Sequence, residues 1–200
     1  MTGLVRAELL KLRSTRTALG LFIVILVITL VPLGILVFAL PKDLLEEAGV
    51  SGFLATASSL VPLVLLVFGI LGMTNEYRHG TITYSYLVTP RRWQVMVVKL
   101  TGYAVVGILT MIVAVALVYL VIKLGGAVRG VRIDASGGST LADYARQIVV
   151  AGLTTTFGVG LGALFRAQVI TVAATLIWAL AVENIIVLIK PAVGRWLPFI

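Results

Sequence analysis

Residues 73–100 read MTNEYRHGTITYSYLVTPRRWQVMVVKL, and they stand between two runs, Phe53–Met73 and Leu100–Ile122, each apolar enough to cross a bilayer. The stretch holds the chain's one histidine, His79, a single carboxylate, Glu76, and the cations Arg78, Arg91, Arg92 and Lys99. How the apolar runs on either side of it are read decides the fold. How the polar island is read decides the function.

A helix needs about 20 mostly apolar residues to span the hydrocarbon core. Five runs qualify: Leu19–Leu40, Phe53–Met73, Leu100–Ile122, Gln147–Phe165 and Val169–Ile189. Open strands would leave backbone groups unsatisfied in lipid, so all five are read as helices. The composition agrees. The chain has 200 residues, 60% of them hydrophobic and 12% charged, and its mean hydropathy is +1.13. A soluble domain carries roughly twice that share of charge. The expected fold class is all-α, a polytopic transmembrane bundle of five spans forming one domain over residues 1–200. No internal repeat is visible, and Pro32 and Pro62 predict kinks in spans one and two.

The net charge of +8 does not point to nucleic acid, because the cations are spread along the flanks of the spans. It points to topology. The N-terminal segment has Arg6, Lys11, Arg13 and Arg16, and the stretch after span two has the four cations named above. The loop between them, PKDLLEEAGVSG, has Lys42 against Asp43, Glu46 and Glu47. The positive-inside rule therefore places the N-terminus and residues 74–99 in the cytoplasm. Lys123, Arg129, Arg132 and Arg146 then fall outside and weaken the bias to nine cations against seven. The early loops carry the assignment, because early spans usually set orientation.

Residues 2–17, TGLVRAELLKLRSTRT, space Val5, Leu9, Leu12 and Arg16 at helical intervals and predict an interfacial helix over 1–18, the plainer alternative being a basic flank that only anchors topology. Within 74–99, Gly80 is suited to a left-handed helix stop. Thr81 can cap the following turn or bond locally. ITYSYLV, β-branched and aromatic, predicts extended or irregular chain, and Pro90 fits the first turn of a short amphipathic helix. In that helix Trp93, Met96, Val97 and Leu100 share one face, and Arg92 and Lys99 share another. A mere connector needs only a few residues, so this loop is read as a surface built to touch something.

Glu183 lies inside span five, where a carboxylate is costly. It is a candidate intramembrane polar site, for substrate or proton. The plainer alternatives are a bundle hydrogen bond, with Asn184 for example, or a position near the outer headgroups. Gly158 and Gly162 form a GxxxG in span four, which predicts close helix packing, within the chain or between copies. His79 has no second histidine and no cysteine near it in the chain, so no metal site is expected. No GxxxxGK[ST], GxSxG or HExxH motif occurs, so no catalytic residue is assigned and the chain is read as a non-enzyme.

EYRHGT followed by TPRRWQVMVVKL resembles the cytoplasmic loop of permease subunits of ABC exporters of the type-2 class. RAELLKLRSTRT resembles their interfacial elbow helix, and WALAVENIIVLIKPAVGRWLPF their fifth span and the external segment after it. The resemblance implies a coupling helix in the loop, with Glu76, Arg78, Gly80, Thr81, Arg91, Arg92 and Lys99 at or near the docking site of a separate ATP-binding subunit. It also implies that ATP binds only on that partner, that no cofactor is held here, and that a second permease chain, identical or not, completes a path through the membrane lipid. The expected location is a bacterial plasma membrane. Such permeases have six spans with both termini cytoplasmic, so a sixth span is expected beyond Ile200. Two rival readings remain: a secondary transporter driven by an ion gradient, and a membrane assembly or immunity protein without transport. In either rival the cations of the loop only anchor topology.

Overall fold

A computed structural model of the chain describes residues 16–41, 60–88, 92–130 and 138–190. Their regular structure is all helical. The elements are α1 (Arg16–Ala39), α2 (Val61–Arg78), α3 (Thr81–Val88), α4 (Arg92–Arg129), α5 (Gly138–Phe165) and α6 (Gln168–Ile177), then a π-helical turn (Trp178–Val182) and α7 (Glu183–Ile189). The last three run on as one rod. Four stretches are long and apolar enough to cross a membrane: Leu19–Ala39, Trp93–Arg129, Leu141–Phe165 and Gln168–Ile189. They mark a multi-pass helical membrane protein.

The second expected span is described only from Leu60, since 53–59 lie outside the described residues. Its helix, α2, ends in a polar turn, Thr74–Arg78, which leaves its described apolar part shorter than a full crossing. Pro62 does not kink α2. It stands in the first helical turn, where its missing N–H removes no intrahelical bond. Pro32 does lie inside α1. The interfacial helix expected over 1–18 falls outside the described residues except for Arg16, Thr17 and Ala18, which already belong to α1.

α2 packs most extensively against α5, and α5 in turn against α4, while α1 leans on α4. Backbones come close where glycines meet. A Cβ on Gly69 would sit 2.2 Å from the Thr155 carbonyl oxygen, and one on Gly158 would sit 2.2 Å from that of Leu66. Lipid chains compete with side chains for apolar contact, so close backbone approach is what holds such helices together. Four buried threonines of α2, α5 and α6 spend their hydroxyls within their own helices: Thr74 donates to Ile70 O, Thr155 to Ala151 O, Thr171 to Ala167 O and Thr175 to Thr171 O.

The core comprises three clusters along the bundle. Leu33, Val37, Val118, Ile122 and Tyr144 fill one end. Ile25, Val61, Leu65, Met111, Ala114 and Ala151 fill the middle. Phe68, Met73, Ile82, Tyr103 and Val159 fill the other end, where α2 stops.

Two local expectations are corrected. ITYSYLV is the helix α3, not extended chain. Its β-branched residues are overruled because Gly80 turns the chain and Ile82 docks in the core, 7% exposed. Nor is there a separate amphipathic helix before span three. α4 is continuous for 38 residues from Arg92, and Thr89–Arg91, with Pro90, lie outside the described residues. Its inward face near the start is Val95, Val98, Lys99 and Tyr103, whereas Trp93 and Val97 point away.

Candidate functional site

The polar island of the sequence becomes a joint between α2 and α4. α2 closes at Arg78, with His79 N–H bonded to Asn75 O and Gly80 N–H to Tyr77 O. Gly80 has φ 67°, the left-handed stop that its residue type predicts. A Cβ there would meet nothing within 4 Å, so only the backbone conformation asks for glycine. Thr81 Oγ1 donates to the Glu76 carbonyl across this turn, at 3.5 Å.

One turn before the stop, Glu76 points inward and its Oε1 lies 2.7 Å from Lys99 Nζ. Both side chains are almost wholly buried, Lys99 at 1% exposure and Glu76 at 7%. Taking two charges out of water is expensive, and removing either partner from a buried pair typically costs about 3–5 kcal/mol. The pair therefore ties the end of α2 to the second turn of α4. Beneath it, Phe68 and Tyr103 rings meet at 5.2 Å, and a Cβ on Gly72 would overlap the Tyr103 hydroxyl. α3 is thus anchored at its start by the Gly80 turn and Ile82. Its Tyr84 and Leu87 project outward, 73% and 75% exposed.

The remaining candidates scatter. Arg78 turns to α6, where its Nη1 donates to Gln168 Oε1 at 3.3 Å. Arg92 opens α4, and Arg91 lies outside the described residues. Gly158 and Gly162 both face α2, the latter with Ile70 O and Met73 as neighbours, and Gly160 faces open space. The seam they make is within the chain. Its reciprocal residue, Gly69, stands in FGILG, whose two glycines, Gly69 and Gly72, are three apart and do not form the GxxxG spacing.

Glu183 is fully buried at the first residue of α7. Trp178 Nε1 donates to its Oε1 at 2.9 Å, across the π-helical turn. Asn184 is not its partner; its Nδ2 donates to Leu180 O. No periodicity in the sequence announces the wide turn, which swings Trp178 over the carboxylate.

At the opposite end of the bundle three of the cations that blur the topology have local partners, and the fourth, Arg132, lies outside the described residues. Arg129 Nη1 donates to carbonyls at the end of α1, Val37 O at 2.8 Å and, one residue past the helix, Leu40 O at 2.5 Å. Lys123 lies over the Tyr119 ring, and Arg146 pairs with Asp143 one turn away. No cluster of three or more metal-ligating side chains occurs among the described residues.

No family model matches the chain, and neither a curated protein nor a solved structure matches it.

Proposed function

We propose that the chain is the membrane-spanning subunit of an ATP-binding-cassette exporter, with α3 as the element that docks a separate ATP-binding subunit. The observation that carries this is the braced loop: a short helix, anchored by Ile82 and framed by the buried Glu76–Lys99 pair, that presents Tyr84 and Leu87 outward. A loop that only anchored topology would need cations, not a buried carboxylate and a docked helix. Force applied to α3 reaches α2 through the Gly80 turn and α4 through the ion pair. Both helices pack on α5, so the loop moves as part of the bundle.

The orientation that puts this loop in the cytoplasm of a bacterial plasma membrane, with the N-terminus on the same side, rests on the early cation bias. It is strengthened by the partners of Arg129, Lys123 and Arg146, whose positions have structural reasons of their own. ATP hydrolysis belongs to the partner, and a second permease chain completes the path.

Glu183 favours a second reading, transport coupled to an ion gradient, because a fully buried carboxylate lies within a candidate span. One experiment separates the two. The chain is reconstituted with a candidate ATP-binding subunit that co-purifies with it, and ATPase activity is measured for wild type, Tyr84→Ala/Leu87→Ala and Glu183→Gln. The exporter reading expects the α3 variant to uncouple hydrolysis. Loss confined to Glu183→Gln, with uptake following an imposed ion gradient, overturns it.

A further inference from the structure

The corner between α5 and α6 lies outside the joint just described. It is two residues long, for α5 ends at Phe165 and α6 begins at Gln168. Arg166 takes φ 56° there, a left-handed conformation for a residue with a Cβ, and its N–H donates to Gly162 O at 3.1 Å. The guanidinium is thereby carried back over the Tyr77 ring, 5.4 Å from its centre. Arg78 reaches the same place from α2 and is held by the Gln168 amide oxygen.

Among the described residues neither guanidinium meets a carboxylate, and the ion pairs there are Lys99–Glu76 and Arg146–Asp143, both elsewhere. Two exposed cations are instead held on neutral partners, an aromatic face and an amide, along a groove of about 420 Å³. The groove continues over Val169 and Ile170, 78% and 67% exposed, into the apolar outer surface of the bundle. Positive forks at a bundle end, with a greasy face leading away from them, match a phosphate attached to an acyl chain better than a free anion. Guanidinium forks bind phosphate oxygens with two parallel hydrogen bonds, which a lysine cannot reproduce.

We propose that Arg78, Arg166 and Gln168 form a binding site for the phosphate of an anionic phospholipid headgroup, whose chains lie along Val169 and Ile170. The site requires only that the chain is embedded in a bilayer, and it stands whether or not the chain is a permease.

The test uses the full chain purified in a zwitterionic detergent and titrated with short-chain phosphatidylglycerol, with phosphatidylcholine, or with inorganic phosphate, bound lipid being counted by native mass spectrometry. Wild type is expected to hold phosphatidylglycerol in preference to phosphatidylcholine, with no competition from an equal concentration of phosphate. Arg78→Gln and Arg166→Gln are each expected to weaken that binding about tenfold, the loss of one good charge-assisted contact. Arg78→Lys and Arg166→Lys, which keep the charge, decide the matter if the glutamine variants aggregate; each is expected to lose about threefold with the fork. Equal binding of the two lipids, or unchanged affinity in the variants that remain folded, overturns the site. Displacement of the lipid by equimolar phosphate overturns its assignment to a headgroup.

Discussion

Glu76 Oε1 and Lys99 Nζ meet at 2.7 Å in the interior, 23 residues apart, one closing α2 and the other on the second turn of α4. The relationship makes a testable asymmetry. Lys99→Met alone leaves a buried carboxylate and is expected to cost about 3–5 kcal/mol, whereas Glu76→Gln/Lys99→Met restores most of it. Thermal unfolding in detergent of both single variants and the double variant checks this. Additive losses would mean that the pair is not coupled in the folded protein.

The α3 surface gives the second expectation. Aromatic and aliphatic anchors at an interface carry about 2 kcal/mol or more each, and exposed ion pairs about 0–1 kcal/mol. Tyr84→Ala with Leu87→Ala is therefore expected to lose the ATP-binding subunit on co-purification, while Arg91→Ala retains it. The α3 double variant should unfold at the wild-type temperature, because Tyr84 and Leu87 are exposed. Retention of the partner by the α3 double variant contradicts the docking role.

Gly80 supplies a test of backbone alone. Its φ is 67° and a Cβ would touch nothing. A left-handed conformation costs an L-residue roughly 1–2 kcal/mol, more for a β-branched one and less for asparagine. Gly80→Val is thus expected to be clearly less stable than Gly80→Asn in the same unfolding assay. Equal stability of the two would remove the conformational requirement.

The α2–α5 seam makes an opposite pair of outcomes. Gly158→Ala places a Cβ against the Leu66 carbonyl and is expected to lose about 1–3 kcal/mol by overpacking. Gly160→Ala, two residues on, meets nothing and is expected to gain about 0.5–1 kcal/mol from helix propensity. The pair controls for composition, and unfolding midpoints of both decide it.

Topology is open to direct labelling, since the chain has no cysteine. Ser51→Cys and Ser85→Cys are expected to react from opposite sides of the membrane. Labelling of Ser85→Cys by an impermeant reagent outside intact cells would reverse the orientation.

What the sequence determined without help is whatever depends on a residue's own chemistry or on a simple period. Long apolar runs can only be helices in lipid, so the helical class and four of the crossing helices follow from composition. Gly80 is legible because few other residues tolerate its φ, and Gly158 and Gly162 because their spacing puts them on one face. The tertiary structure decided what depends on which faces meet. Lys99 looked like one more cation on a polar flank until α2 brought Glu76 within 2.7 Å of it. ITYSYLV looked extended because its residues favour strands, and it became helix because Ile82 had a pocket between α2 and α4. Glu183 suggested a bond to its neighbour Asn184, yet the π-helical turn gave it Trp178 instead. In each case the energy comes from a contact across the fold, between groups far apart in the chain or rotated by an irregular turn, and no local pattern records it.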